Sequence, residues 1–250
     1  STSEKCVREV DMKLTFLGTR GYIKARTPRH YMHSSLMVSY RGKNIMIDCG
    51  EDWLEKILGM HPDAIFITHG HPDHAWGLKN GAPCAVYAVD AAWENMKTFQ
   101  IAVRELIELR KPVSVGAITV EAFSVVHSTR APAVGYRISA GKKSIFYVPD
   151  LVYINERAEA LRGAAAYVGD GATITRSMVR KPGTELIGHT PVRTQLTWCQ
   201  KEGVPLAIIT HCGSEIVEGD EHELQQKVDA LARERSVTAV IAQDGMEKII

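Results

Sequence analysis

The chain has 250 residues, 45% hydrophobic and 24% charged, with a formal net charge of +1. That length can bury a full core without staples, and the composition is that of a soluble globular protein. A charge this close to zero gives no global field for nucleic acid or membranes, so any attraction to anions has to come from local clusters.

The opening "STSEKCVREV" does not resemble a signal peptide, and no apolar run approaches the ~18 residues of a bilayer span. Five scattered cysteines, Cys6, Cys49, Cys84, Cys199 and Cys212, form no C-x-x-C pair and read as reduced thiols. A cytoplasmic protein without a membrane partner is expected. Short β-rich runs follow in "MKLTFLG", "SSLMVSY" and "KNIMIDCG", with Arg41-Gly42 as a hairpin turn between the last two. A short helix is expected from Asp52 to Leu58, then a buried strand in "DAIFITHGH". Residues Ala91 to Arg110 read as a helix, with Ile101, Leu106 and Leu109 on one side.

Three more strands are expected in "AITVEAFSVVH", "AVGYRIS" and "KSIFYVPD", then a helix from Asn155 to Arg162 and the strand "AAAYVGD". A helix starts at Thr190, with Pro191 in its first turn, and Gly203 closes it. "PLAIITHCG" repeats the strand-to-loop pattern, a charged helix spans about Asp220 to Arg235, and strands end the chain. Two runs of strands, each with helices after it, suggest one αββα domain over residues 1–250: two packed mixed sheets flanked by helices. Periodicity alone also permits an ordinary α/β domain.

Chemistry concentrates in His69-Gly70-His71-Pro72-Asp73-His74, four potential ligands within six residues at the end of an apolar strand. Such a turn can aim two imidazoles at one ion and turn Asp73 and His74 toward a second. This motif resembles the H-x-H-x-D-H signature of the metallo-β-lactamase superfamily, and the resemblance extends over nearly the whole chain: "SVVHS" supplies His127, "FYVPD" supplies Asp150 and "IITHC" supplies His211. It implies the αββα fold and two divalent ions, usually zinc, with manganese, iron or nickel as alternatives. One ion would be held by His69, His71 and His127, the other by Asp73, His74 and His211, with Asp150 bridging. Two such ions can ionise a hydroxide held between them, which implies hydrolysis. Taken singly, a strand-end histidine such as His127 or His211 is more often structural, and Asp150 has a rival in Asp170. Diiron flavoproteins carry a glutamate where His71 stands, and true metallo-β-lactamases a cysteine where Asp150 stands, so neither chemistry is expected. Cys212 should alternate away from the ligand direction as a buried thiol.

The "GHTP" around His189 also resembles a ligand motif of lactonases, but that assignment needs a later bridging aspartate, and none lies between His189 and His211. The better match is the superfamily's phosphodiesterase branch, which includes RNase Z-type endonucleases and phosphoribosyl cyclic phosphodiesterases. There a histidine in this setting stabilises or protonates the leaving oxygen, which would make His189 the general acid. By the same resemblance Asp170 orients His189, unless it merely serves the Asp-Gly turn, and Asp73 both binds metal and positions water. Basic clusters free of acids, Arg20, Lys24, Arg26 and Arg29 early on and Arg176, Arg180 and Lys181 later, either grip phosphate or are solvated loop charge. Only 22 residues separate His127 from Asp150, too few for the tRNA-gripping arm of RNase Z. A small cyclic phosphate, a nucleotide or a short oligonucleotide is therefore the expected substrate, with a homodimer plausible from the family. A lactonase or thioesterase of the same fold, and a metal-bearing binding protein without activity, are the competing readings.

Overall fold

The computed structural model describes residues 11–250. The expectation about the opening ten residues, and the thiol of Cys6, fall outside them. No described helix is long and apolar enough to cross a membrane. The other four cysteines are free thiols, and Cys212 is buried.

The first sheet starts with β1 (Lys13–Gly18), β2 (Ser35–Tyr40) and β3 (Lys43–Ile47), paired antiparallel. It continues through β4 (Ala64–Phe66), β5 (Ala85–Ala88) and β6 (Arg104–Leu106), all parallel to β3. Short helices α1 (Pro72–Ala75) and α2 (Asp90–Asn95) lie in the crossovers.

The second sheet follows the same plan. An edge strand β7 (Val113–Val115), then β8 (Ile118–Val126), β9 (Ala133–Ala140) and β10 (Lys143–Val148) pair antiparallel. Beyond a two-residue β11 (Tyr153–Ile154) and α3 (Arg157–Leu161), β12 (Ala166–Asp170) runs parallel to β10. A separate ribbon, β13 (Met178–Arg180) with β14 (Ile187–His189), precedes α4 (Val192–Glu202). β15 (Leu206–Thr210), α5 (Ser214–Glu218), α6 (Glu221–Arg233) and β16 (Thr238–Ile241) complete this half, β15 and β16 again parallel to β12. The last strand, β17 (Glu247–Ile249), returns to β1.

Both faces of the second sheet are covered, which is why its strands read as continuous apolar runs. In β10, Ile145 and Tyr147 join the core between the sheets, while Phe146 and Val148 pack with residues of α3 and α4 such as Leu161 and Leu196. Strands β8, β10, β12 and β15 run in one direction, as do β3 and β4 in the other sheet. Their C-terminal ends therefore release the chain at one rim, the place where open α/β sheets hold ligands.

Several elements differ from the sequence-based expectation. The helix expected over Ala91–Arg110 stops at Asn95, and Arg104–Leu106 is the edge strand β6. Ile101 and Ile107 are buried while Leu106 is 63% exposed, so the apolar residues do not share a helical face. Arg104 Nη2 takes up the Phe99 carbonyl at 2.6 Å and fixes the bend. The helix expected from Asp52 to Leu58 is two 3-10 turns, Glu51–Trp53 and Ile57–Gly59, and the one expected from Asn155 begins at Arg157. The helix ending at Gly203 is present, with Gly203 at φ 70° and its amide returning to the carbonyls of Cys199 and Gln200.

Candidate metal centre

The turn after β4 carries His69, His71, Asp73 and His74 to the shared rim, where the ends of β8, β10 and β15 bring His127, Asp150 and His211. Donor atoms of His69, His71, His127 and Asp150 form one tight group, those of Asp73, His74, Asp150 and His211 a second, and those of Asp150, Asp170, His189 and His211 a third. In the first, His71 Nδ1 lies 3.0 Å from His69 Nε2 and 3.3 Å from His127 Nε2. In the second, Asp73 Oδ2 lies 3.0 Å from both His74 Nε2 and His211 Nε2. Asp150 Oδ2 stands between them, 3.6 Å from His69 Nε2, 3.5 Å from His74 Nε2 and 3.7 Å from His211 Nε2.

These residues fit metal ions better than one another. His74 Nε2 and Asp150 Oδ1 are buried without a hydrogen-bond partner, although charged or ring atoms stand about 3.0 Å away. Lone pairs that converge on a common point instead of on each other are the mark of a ligand set. Burial and the neighbouring His74 hold His69 well below the usual histidine range, and burial with His127 brings His71 down to about 4, so both imidazoles keep the neutral form a metal requires. His74 and His211 go the other way. Burial disfavours their charge, but Asp73 and Asp48 raise His74 well above its ordinary value, and Asp150, with hydrogen bonds to Asp170 and Asp73, raises His211 to about 9. The carboxylates thus draw in positive charge, which divalent cations would supply in place of protons.

Behind these candidate ligands sit residues that hold them. Asp48, at the end of β3 with φ 65°, accepts from the Thr68 amide at 2.8 Å and from His74 Nδ1 at 2.8 Å, leaving Nε2 for the centre. His211 is also in the left-handed region, at φ 50°. Non-glycine residues held there at a functional site mark a conformation imposed by the surroundings. His127 Nδ1 donates to the Gly188 carbonyl at 3.2 Å, and the Gly188 amide returns to the His127 carbonyl at 3.2 Å.

His189, 22% exposed at the end of β14, borders the same cleft, and its Nδ1 donates to Asp170 Oδ2 at 2.7 Å. With Nδ1 engaged, Nε2 is the nitrogen left to the cleft. Burial opposes its charge, yet the carboxylates of Asp170 and Asp150 raise it to about 11. Asp170 Oδ1 accepts from the Ala172 amide and Oδ2 also from the Leu151 amide, so its oxygens are engaged within the protein. Gln195 of α4 adds a bracket, donating to the Asp170 carbonyl at 2.8 Å and accepting from its amide at 2.9 Å.

The cleft holds about 770 Å³, and Arg176 is on its wall together with His71, Asp73, His127, Asp150, His189 and His211. The other arginines expected to bind substrate stand apart from it. Arg20 is 2% exposed, with donors committed to Asp52 Oδ2 at 2.5 Å, to the Tyr31 carbonyl at 2.9 Å and to the Ile23 carbonyl. Buried pairing of this kind makes it a brace of its own loop. Arg26 borders a neighbouring cleft and pairs with Asp52 Oδ1 at 2.9 Å. Arg29 lies farther round, beside Glu221 at 3.4 Å. Sequence reasoning missed Asp48, Asp52 and Gln195. Only Asp48 left a signal, an acid directly after the apolar run "NIMI".

A family model described as the beta-lactamase superfamily domain matches residues 43–212. A ribonuclease Z of Methanopyrus kandleri is 27% identical, over 94% of this chain and 97% of its own length. Among solved structures, the metallo-beta-lactamase fold protein YhfI from Bacillus subtilis superposes with a TM-score of 0.76 at 18% identity, over 96% of this chain and 99% of that one. A diphosphatase from the PhnP family gives 0.70 at 19% identity, over 95% and 97%. At such identities the two structures bear on the fold alone.

Proposed function

The chain belongs to the metallo-β-lactamase superfamily, and within it we propose a phosphodiesterase that acts on small cyclic phosphates, nucleotides or short oligonucleotides. Family and donor set make it a metal-dependent hydrolase. The observation that carries the finer reading is the Asp170–His189 pair, which turns one imidazole nitrogen into the cleft beside Asp150. The ribonuclease Z relative supports phosphodiester chemistry.

His69, His71, His127 and Asp150 would hold one ion, and Asp73, His74, His211 and Asp150 the other. When bound, the ions supply positive charge and acidify a water molecule. Imidazole with carboxylate suits zinc, while manganese, iron and nickel also accept such ligands. The protein's own groups do the rest. Asp73 and Asp150 orient the attacking water through its protons, and Arg176 takes a phosphate oxygen at the wall. His189 donates the Nε2 proton to the departing oxygen while Asp170 keeps the ring aligned through Nδ1. With ions held there, Asp150 would raise His189 less, and the His189 proton would be easier to transfer.

The test is hydrolysis of bis-p-nitrophenyl phosphate, a lactone and a thioester by protein loaded with zinc or manganese. Turnover of the diester is expected. Turnover of the lactone or thioester without the diester would replace this reading with an acyl hydrolase.

A further inference from the structure

The cleft over the metal donors does not end at its wall. Tyr22 and Ile23 border it and also border a second cleft of about 450 Å³, whose remaining sides are Arg20, Lys24, Arg26, His33 and Glu51. Tyr22 is therefore a ridge between two hollows. It is 62% exposed, and the His33 ring lies 6.1 Å away at a tilt, so core packing does not account for a large aromatic at this point.

The second hollow is firmly built. Asp52 accepts from Arg20 Nη2, from Arg26 Nη2 and from the His33 amide, and the Arg26 guanidinium lies 5.0 Å over the Tyr31 ring. One carboxylate thus serves two guanidinium groups, which leaves the loop positive. Lys24 has no ion pair among the described residues, and no acid occurs between Arg20 and His33. Glu51 is the single acid that borders the hollow and faces this surplus.

An exposed aromatic between a reactive centre and a cationic hollow has the character of a single-strand nucleic-acid track: a base stacks on the ring, and the next phosphate meets the cations. Resting on the phosphodiesterase reading, we propose that the two clefts form one track for a single-stranded oligonucleotide. The scissile diester lies at the metal donors, the neighbouring base on Tyr22, and the following phosphate against Lys24 and Arg26. These three residues then set the preferred chain length.

The test compares oligothymidylates of two to six nucleotides with bis-p-nitrophenyl phosphate, using the intact metal-loaded protein. The expected result is a kcat/KM that rises up to three or four nucleotides, and a loss in Tyr22→Ala on the tetranucleotide that exceeds its loss on the small diester by roughly 5- to 100-fold. Equal losses on the two substrates, or no dependence on length, would overturn the track. Binding of a fluorescent decathymidylate, followed by anisotropy against salt, separates this proposal from the reaction itself. Lys24→Ala should flatten the logarithmic salt slope by about 0.7, and Lys24→Ala with Arg26→Ala by about 1.4. A protein that hydrolyses no diester but shows these slopes keeps the track and loses the reaction; one that cleaves the small diester with unchanged slopes loses the track.

Discussion

Gly188 and His127 exchange two hydrogen bonds, one from the Gly188 amide to the His127 carbonyl and one from His127 Nδ1 to the Gly188 carbonyl, each 3.2 Å long. The ribbon β13–β14 thereby engages Nδ1 of a candidate metal donor, an atom that Asp150 Oδ1 also approaches at 2.9 Å, while it carries His189. Gly188 sits at φ 111°, and an added Cβ would collide with the Met178 carbonyl. In Gly188→Ala the ribbon is pushed off, and metal affinity should fall by about 10- to 100-fold, as for other losses of a partner that orients a ligand. Metal titration with competing chelators reads this directly, and unchanged affinity would show that the pairing is idle.

Replacement of His189 by alanine should reduce kcat on the diester by about 10²- to 10⁴-fold while leaving metal content intact. Asp170→Asn should follow the same direction with a smaller loss, because the ring keeps a neutral partner. Elemental analysis of both variants beside their kinetics is the check. A fall in metal content in His189→Ala would move His189 into the ligand set.

Asp48→Ala should empty the half of the centre formed by Asp73, His74 and His211 before the other half. Its carboxylate holds His74 directly through Nδ1 at 2.8 Å, and reaches His69 only at one remove, through the Thr68 hydroxyl 3.0 Å from His69 Nδ1. A stoichiometry near one ion per chain is expected, against two in the parent protein. Loss of both ions together would mean that the halves do not bind separately.

The local cluster from His69 to His74 stands out in the sequence by its spacing, whereas His127, Asp150 and His211 stand out only through the superfamily resemblance, since the end of an apolar strand by itself assigns no ligand. Asp48 and Gln195 do not stand out, since each acts on a partner 25 or more residues away in the chain: Asp48 on His74, and Gln195 on Asp170. Arg20 misled for the same reason. In the sequence it stands in an acid-free loop, and only the fold supplies Asp52, 32 residues later. The stretch after Asn95 misled differently: apolar residues spaced five and three apart imitate a helical face, whereas pairing with β5 takes part of them into a strand.

Acid should destabilise the fold through His30 as well as through the metal donors. Burial, with Arg29, brings His30 down to about 4 against a smaller opposing pull from Glu221. The unfolded chain binds this proton at about 6.5 and the folded one only near 4, so this contribution is fully present above 6.5, declines between those values, and falls no further below them. Urea denaturation of the parent and of His30→Gln from pH 7 to pH 4 isolates it. The stability difference should shift across that window, and a pH-independent difference would contradict the assignment.

Removal of metal by a chelator should lower the melting temperature, with recovery on adding zinc. An ion at 1,000 times its dissociation constant adds about 4 kcal/mol per site. Coincident melting curves would exclude a metal site of that strength.

The donors divide between the halves of the molecule: His69, His71, Asp73 and His74 follow a strand of the first sheet, and His127, Asp150 and His211 follow strands of the second. Each ion would thus rivet the two sheets across the open end of their shared core, where packing cannot reach. The same ions that would make the centre reactive would act as cross-links where the four described cysteines form none.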